Sequence, residues 1–383
     1  MINILKYLYI INRIMSYYIL PKVNSTVIIN PTDNINLIDS FHPHISHSLF
    51  KYYTENTQVL QNVCDNLLIH QYNYEEVLKY VHALHYIFST VQGSQLSVSK
   101  LKYKVNTFYN FLEVCTILHI FDCYKSQSIV TLHITNSGND TIECLEIMRE
   151  NESDENICYD ELNNNTIQSI GHRKFDFMFF ENDTHNDINP ANLNVYIISL
   201  IQILITILHN QNTHGTSIIK ISHIFYKPII DIIYIFSALF EKTCFFKPKT
   251  CNKITFDKYL ICTKFQSESS SHVSNYNNLT LFLRNLITNN TNVESILNYE
   301  IPYCFMVKLN DINIIFGQQQ LEKLDLLINT LKSKNKEDKI ELINKTNIQK
   351  SIAWCEKFKI PHNKFPDKIN LFLPLVKESH KSI

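Results

Sequence analysis

The middle of the chain alternates short apolar runs with longer segments in which apolar residues recur at helical spacing. Five runs rich in β-branched and aromatic residues predict strands: 129–135, 175–180, 216–221, 242–246 and 258–265. Helices are predicted around 104–120 and at 192–210 and 228–240. This alternation is typical of α/β proteins and predicts a mostly parallel sheet of about seven strands between layers of helices. No helix joins the last two predicted strands, so we expect the final strand to be antiparallel.

The segments that flank this α/β core carry weaker patterns. Residues 1–95 form an N-terminal extension with an irregular start and with helical periodicity at 74–88. The α/β domain is predicted to cover 96–265. Residues 266–278 are rich in Ser and Asn and lack periodicity, which predicts a linker. Residues 279–383 are predicted to be a helical C-terminal extension.

Three apolar segments raise the question of a membrane span. Polar and charged residues interrupt the N-terminal segment, and a second methionine, Met15, leaves open whether residues 1–14 are an upstream extension. The runs 195–208 and 229–240 are too short or too polar to cross a bilayer. Buried helices are predicted there, and no membrane partner is expected.

Composition limits the chemistry that the chain can support. The formal net charge is −1, whereas nucleic-acid-binding proteins commonly carry a basic excess, so any basic patch must be local. The ten cysteines include no CxxC pair, which argues against a structural zinc site and a redox motif. His42, His44 and His47 lie close together in the sequence, and an ordinary polar loop is favoured there over a metal site.

The segment 215–265 holds the most informative motif. A predicted strand ends near Lys220, a helix and a strand follow, and the sequence KPKT at 247–250 precedes an acid-x-Tyr motif from Asp257 to Tyr259. This order and spacing resembles that of the FtsJ-like ribose 2′-O-methyltransferases, which modify RNA and depend on S-adenosylmethionine. The resemblance implies a Rossmann-like methyltransferase sheet.

Shorter motifs resemble members of this family from large cytoplasmic DNA viruses. They are MSYYILPK at 15–22, PHISHSL at 43–49 and SVSK at 97–100. The resemblance spans residues 15–265 and continues more weakly to Trp354–Pro361. It implies that the partner is RNA, with the mRNA cap favoured as the substrate, and that the protein is located in the host cytoplasm or the virion.

The chemistry of the family uses a Lys-Asp-Lys-Glu tetrad, whose central lysine helps to remove the proton of the ribose 2′-hydroxyl. The resemblance assigns that lysine to Lys220 and the glutamate to Asp257. The aspartate position falls on Glu181 or, two residues later, on Asp183. Asn110 occupies the position of the first lysine. One of the four residue types is kept, and displaced catalytic groups slow a reaction strongly, so impaired catalysis is expected.

The cofactor loop departs further from the family pattern. In the family, a glycine-rich loop follows the first strand, and its amides approach S-adenosylmethionine closely. The corresponding residues are Asn136, Ser137, Gly138, Asn139 and Asp140. Side chains would project where the ligand lies, so we expect S-adenosylmethionine binding to be weak or lost. The arginines that follow KP-x-(S/T) in the family are also missing, which removes positive charge from the RNA-facing side.

Two functional hypotheses remain open at this point. In the first, the chain is a working RNA ribose methyltransferase with an adapted cofactor loop. In the second, it is a catalytically inactive relative that serves as a binding or scaffolding subunit, for example beside an active paralogue. Under both, Asn110, Glu181, Lys220 and Asp257 are expected to converge at the carboxyl edge of the sheet, with Lys220 close to an acid. The sequence contains no nucleophile elbow, P-loop or HExxH motif that would indicate unrelated chemistry.

Overall fold

The computed structural model describes residues 17–34, 42–68, 78–91, 94–125, 127–150, 153–181, 190–266, 271–289, 291–332 and 336–363. The strands within these stretches are β1 (Tyr17–Ile19), β2 (Thr32–Asn34), β3 (Val130–Thr135), β4 (Glu155–Tyr159), β5 (Phe175–Glu181), β6 (Gln211–Ile221), β7 (Phe240–Phe246), β8 (Lys258–Phe265) and β9 (Asn292–Ser295). The helices are α1 (His47–Leu68), α2 (Asn106–Ile117), α3 (Asp140–Arg149), α4 (Asn164–Ile170), α5 (Pro190–Asn210), α6 (Lys227–Leu239), α7 (Ser271–Asn289), α8 (Tyr303–Lys332) and α9 (Lys336–Lys357). Two short 3₁₀ helices lie at His85–Ile87 and Ile120–Tyr124.

Seven of these strands form one mixed sheet in the order β1-β7-β8-β6-β5-β3-β4. The strands β6, β5, β3 and β4 are parallel neighbours. β8 is antiparallel to both β6 and β7, and β1 is antiparallel to β7. All sheet strands except β8 and β1 therefore run in one direction. The predicted α/β class, with a mostly parallel sheet and an antiparallel last core strand, is confirmed, and the arrangement is consistent with a Rossmann-like fold.

The prediction that all seven sheet strands lie within 96–265 is wrong. Six sheet strands lie within 96–265, and the seventh, β1, belongs to the N-terminal extension. β1 has three residues, which are too few to show an alternating pattern. The apolar signal of a central strand is also missing from β4, because β4 lies at the sheet edge and its side chains are exposed or only partly buried.

Helices cover both faces of the sheet, because alternate side chains of a strand point to opposite sides. In β5, Met178 and Phe180 pack into a core with residues of α5, α6, α7 and α8. Phe177 and Phe179 point the other way and pack with residues of α2 and α9. A strand segment that is buried on both faces is apolar throughout, which explains the continuous run FMFF at 177–180, whereas Asp176 near the start of the strand is only partly buried.

The predicted linker at 266–278 is wrong, since α7 begins at Ser271. Its polar residues include the buried Asn275, whose side chain donates a hydrogen bond to the Val27 carbonyl and accepts one from the Ile29 N–H. These bonds attach α7 to the N-terminal extension. The polar residues of this segment predicted a solvent-exposed linker. Some of them instead make specific hydrogen bonds inside the protein.

Of the predicted helix at 74–88, the structure describes residues 78–88, and the prediction is wrong from residue 79 onward. Leu78 is helical, and residues 79–88 form turns and the 3₁₀ helix His85–Ile87. The main helix of the N-terminal extension is instead α1. The C-terminal extension is helical in α8 and α9, as predicted, and β9 pairs with β2 as a separate two-stranded sheet. Residues 1–16 and 364–383 lie outside the described residues.

Within the described part of the chain, one helical stretch, Asn192–Asn210 in α5, is long and apolar enough to cross a membrane. Of its most apolar window, 61% is buried inside the protein. The core helix of a soluble protein meets the same criteria of length and apolarity. The packing of α5 against the sheet agrees with the prediction of a buried helix.

Candidate functional site

An ion pair joins the ends of two neighbouring parallel strands. Lys220 is the second-to-last residue of β6, and Glu181 is the last residue of β5. Lys220 Nζ lies 3.0 Å from Glu181 Oε1, and the two side chains are 16% and 2% exposed. Carboxyl ends of parallel strands meet at one edge of a sheet, and ligands of such sheets bind there. The structure thus places the predicted lysine and acid in direct contact.

Tyr259 connects this ion pair to α2. The side chain of Tyr259 lies opposite Lys220 in the register of β6 and β8. Its hydroxyl donates to Glu181 Oε1 at 3.2 Å and accepts from Asn110 Nδ2 at 3.3 Å. Burial, followed by the charge of Glu181, raises the pKa of the Tyr259 hydroxyl well above its usual value. We call Lys220, Glu181, Tyr259 and Asn110 the edge network.

The buried carboxylate of Glu113 extends the edge network. Thr250 Oγ1 donates to Asn110 Oδ1 at 2.7 Å and lies 3.3 Å from Glu113 Oε2. The same Oε2 accepts from the backbone N–H of Lys249 at 3.0 Å and from Trp354 Nε1 at 3.2 Å. Glu113 was not predicted as a site residue. The available signal is an acid three residues after Asn110, on the same face of an otherwise apolar helix.

Asp257 lies at the same edge but makes a different contact. Its Oδ2 accepts a hydrogen bond from Thr255 Oγ1 at 3.1 Å, and the residue is 9% exposed. The charges of Asp257 and Lys220 both act on the hydroxyl of Tyr196. Lys220 and Asp257 are therefore on the same side of the domain. The edge brings Lys220 and Glu181 into direct contact and joins Asn110 to them through Tyr259, with Asp257 beside them.

A buried lysine that was not predicted as a site residue, Lys258, lies next to this edge. Lys258 Nζ donates to the Ser222 carbonyl at 2.5 Å and to the Phe256 carbonyl at 3.0 Å. Burial, followed by the charge of Lys247, lowers the pKa of Lys258 to about 7, and the charge of Asp257 opposes this shift. The lysine satisfies backbone carbonyls at the turn into β8, so its role is structural.

The predicted cofactor loop is a four-residue turn between β3 and α3, from Asn136 to Asn139. Gly138 has a φ of 65°, a conformation that favours glycine. Thr135 Oγ1 and Ser137 Oγ lie 2.9 Å apart and hold the turn against the end of β3. Asp140 is the first residue of α3. Four of the five predicted loop residues therefore form the connection from β3 to α3, and the fifth, Asp140, begins the helix.

Carboxylates of the chain itself occupy the N-terminal end of α3. Asp140 and Glu143 both lie in the first turn of the helix. Burial, followed by the charge of Glu143, raises the pKa of Asp140. Glu143 forms a salt bridge of 2.8 Å with Lys102 and a hydrogen bond with the Tyr103 hydroxyl. The positive end of the helix dipole is thus already compensated, which weakens its attraction for the carboxylate of a ligand.

The histidine cluster at His42, His44 and His47 forms no metal site in the structure. No group of three or more histidine, cysteine, aspartate or glutamate side chains that could hold a metal ion occurs among the described residues. Burial, followed by the charge of Lys227, lowers the pKa of His44. Asp183, the alternative to Glu181, lies outside the described residues.

The chain matches no protein-family model and no curated protein. A functional interpretation therefore depends on the residues at the sheet edge and in the β3–α3 turn.

Proposed function

We propose that this chain is a homologue of the FtsJ-like RNA ribose 2′-O-methyltransferases with impaired cofactor binding and catalysis. In this proposal it serves as an RNA-binding or scaffolding subunit beside an active partner, with mRNA cap methylation as the process that it supports. The Rossmann-like methyltransferase fold is part of the same proposal. The mixed sheet with its antiparallel β8 supports it, because the motif residues then fall at the carboxyl edge.

The single observation that carries the proposal is the edge network. A lysine and a carboxylate are in contact where the family resemblance expects the catalytic groups. The position of the first lysine holds the neutral Asn110, which is buried and engaged with Tyr259 and Thr250. An amide that is bound on both sides supplies no positive charge to a reacting ribose or phosphate. In this proposal the site keeps its location at the sheet edge but lacks one of the positive charges that would stabilise the transition state.

The β3–α3 turn supports the loss of cofactor binding. S-adenosylmethionine carries a carboxylate, and helix N-termini bind such groups through free N–H groups and the helix dipole. Asp140 and Glu143 place two acids of the chain at that position. A ligand carboxylate would have to approach these charges, so the free energy of binding is expected to be small.

One observation favours the second candidate, a working methyltransferase with an adapted loop. Glu181 Oε2 is buried and has no hydrogen-bond partner in the part of the chain that the structure describes. A ribose hydroxyl at the sheet edge could donate to this oxygen, since buried carboxylate oxygens are costly to leave unpaired. Lys220 and Asp257 would then flank the reacting hydroxyl.

Calorimetric titration of the whole chain with S-adenosylmethionine tests the proposal. We expect a dissociation constant above about 100 μM, equivalent to less than ~5.5 kcal/mol of binding free energy. Methyl transfer to a capped RNA, measured in parallel, should not exceed that of the Lys220→Met variant. Tight saturable binding together with transfer that Lys220→Met abolishes would support the working enzyme instead.

A combined variant separates the catalytic defect from the cofactor defect. Asn110→Lys, Glu181→Asp and Asp257→Glu together restore the residue types of the tetrad. We expect this variant to remain inactive, because the β3–α3 turn is unchanged. Recovery of methyl transfer by the triple variant would show that the turn binds the cofactor adequately and would contradict the proposal.

A further inference from the structure

A cavity of about 420 Å³ lies between the loop after β7, α8 and the end of α9. Five lysines line it: Lys249, Lys253, Lys323, Lys350 and Lys357. We call this cavity the lysine pocket. Its remaining lining is apolar and includes Leu84, Trp354 and Phe358, and no carboxylate is among the lining residues. With a formal net charge of −1, the chain can carry a basic patch only locally, and this pocket is such a patch.

The lysines of the pocket form no salt bridge with an acid among the described residues, and the charge of the buried Glu113 acts on Lys253. The whole chain, by contrast, has as many acids as bases to within one charge. Lys253 Nζ donates to the Pro248 carbonyl at 2.8 Å. Burial, followed by the charge of Lys247, lowers the pKa of Lys253 to about 8. The charge of Glu113 opposes this shift. The lysines outnumber this acid, and the excess of positive charge favours the approach of an anion.

The apolar side of the lysine pocket is rigidly built. The Trp354 and Phe358 rings stack with centroids 4.4 Å apart and an interplanar angle of 29°. Trp354 Nε1 donates to the buried Glu113 carboxylate, which fixes the indole. Lys350, Trp354 and Lys357 follow one another at helical spacing and share one face at the end of α9. The pocket therefore combines a preformed apolar surface with cationic side chains around it.

We propose that the lysine pocket binds a nucleotide, with the phosphates against the lysines and the base against the apolar side. Pockets for small organic ligands commonly measure about 300–1,000 Å³, and the cavity is large enough for one nucleotide. Lysines form charge-assisted hydrogen bonds with phosphate oxygens. Apolar and aromatic surfaces accept bases of any sequence. The nucleotide can be free or can belong to an RNA strand, because both present the same chemistry.

This site is distinct from the edge network and does not require methyl transfer. Its lysines come from the loop before β8 and from the C-terminal helices α8 and α9. The two sites are nevertheless neighbours, since Glu113 contacts the backbone of Lys249 and Thr250, and Thr250 contacts Asn110. A nucleotide in the pocket would lie beside the sheet edge.

The fluorescence of Trp354, the only tryptophan of the chain, provides a direct readout. The whole protein is titrated with ATP, with adenosine and with inorganic tripolyphosphate, and calorimetry is performed on the same samples. We expect ATP to change the fluorescence in a saturable manner. Adenosine lacks the phosphates and tripolyphosphate lacks the base, so each should bind at least about tenfold more weakly than ATP. Equal binding of adenosine and ATP would overturn the role of the lysines, and equal binding of tripolyphosphate and ATP would overturn the role of the apolar side.

Matched lysine variants assign the binding to the pocket. Lys350→Ala and Lys323→Ala should each weaken ATP binding by at least about tenfold, the loss of one charged hydrogen bond. The control is Lys345→Ala on the same helix, whose lysine is exposed and paired with Glu341 at 2.7 Å. This control should bind ATP like the unaltered protein. Equal losses in Lys345→Ala and Lys350→Ala would show unspecific charge attraction and would overturn the proposal.

A short single-stranded RNA identifies the source of the nucleotide. One form carries a 5′-triphosphate and the other a 5′-hydroxyl, and ATP serves as the reference. Tighter binding of the triphosphate RNA than of ATP supports an RNA end as the ligand, whereas tighter binding of ATP supports a free nucleotide. Absence of saturable binding by ATP and by both RNAs, in fluorescence and in calorimetry, refutes the proposal. S-adenosylmethionine is not used in these titrations, so their outcome is independent of cofactor binding.

Discussion

The edge network and the lysine pocket are neighbours that differ in the environment of their lysines. In the edge network the lysine is paired with an acid, and in the lysine pocket the lysines face a cavity. At the sheet edge, Lys220 is largely buried and contacts an acid that is almost completely excluded from water. In the lysine pocket, Lys249, Lys350 and Lys357 are exposed, and no acid lines the cavity. Glu113 connects the two regions through its contacts with Lys249 and Trp354.

The difference follows from the cost of removing a charge from water. A buried lysine needs hydrogen-bond acceptors or a counter-charge within the fold, because an isolated buried ion is strongly destabilising. Exposed lysines keep their hydration and tolerate each other at small cost. A cation that is paired internally contributes to the architecture of a site, and it is less available to an external anion. Unpaired cations around an apolar surface remain available to a ligand, so the lysine pocket is the better candidate for binding phosphates.

Removal of one partner of the buried ion pair should give the largest effect. Glu181→Ala leaves the ammonium of Lys220 without its counter-charge, and Tyr259 loses its acceptor. We expect the free energy of unfolding to fall by about 3–5 kcal/mol. Lys350→Ala in the lysine pocket should change it by less than about 0.5 kcal/mol, as is usual for exposed side chains. Urea denaturation followed by circular dichroism measures both.

The double variant Lys220→Met with Glu181→Gln is the control for this comparison. It removes both charges and keeps an acceptor for Tyr259, so it should be more stable than Glu181→Ala. A loss below about 1 kcal/mol in Glu181→Ala would contradict the description of the pair as buried, because that value is typical of exposed ion pairs.

The next largest effect should come from the salt concentration, which should weaken RNA binding at the lysine pocket but leave the ion pair of the edge network almost unchanged. If three to five lysines of the pocket contact phosphates, raising the NaCl concentration from about 50 to about 200 mM should weaken binding of a short RNA by about 20- to 100-fold. The unfolding free energy contributed by Lys220 and Glu181 should change little over the same range, since buried pairs are poorly screened. Fluorescence titrations at several salt concentrations give the slope. A flat salt dependence would mean that the lysines do not bind phosphates.

The pH dependence of ATP binding should give a smaller effect. The pKa of Lys253 is about 8 in the free protein, and a bound phosphate would raise it, because an opposite charge favours the ammonium form. Below the free pKa, the ammonium is already present. Above it, binding requires uptake of a proton, so affinity should fall by up to about tenfold between about pH 7 and about pH 9.

The Lys253→Met variant checks the assignment of this pH dependence. It should bind ATP more weakly at neutral pH, and its affinity should vary little up to pH ~9. A variant that keeps the full pH dependence would assign the titration to another group. Titrations at constant ionic strength separate this effect from screening.

Local sequence patterns were sufficient to predict the central part of the fold. The strands β3, β5, β6, β7 and β8 and the helices α2, α5 and α6 agree with their predicted positions to within a few residues. Each of these elements is specified by its own apolar run or periodicity, which is a local property. The meeting of Lys220 and Glu181 could also be predicted, because the ends of neighbouring parallel strands meet at one edge whatever the details of packing.

Elements and contacts that depend on distant residues could not be predicted from local patterns. The strand β1 is too short for a pattern, and α7 uses polar residues such as Asn275 to bond to the N-terminal extension. Asn110 of α2 contacts Tyr259 of β8, 149 residues later in the sequence, which no local pattern encodes. The lysine pocket combines Lys249 and Lys253 with lysines more than sixty residues later in the sequence. Whether a charge is paired depends on proximity in space, and proximity between distant segments is set by the packing of the whole fold.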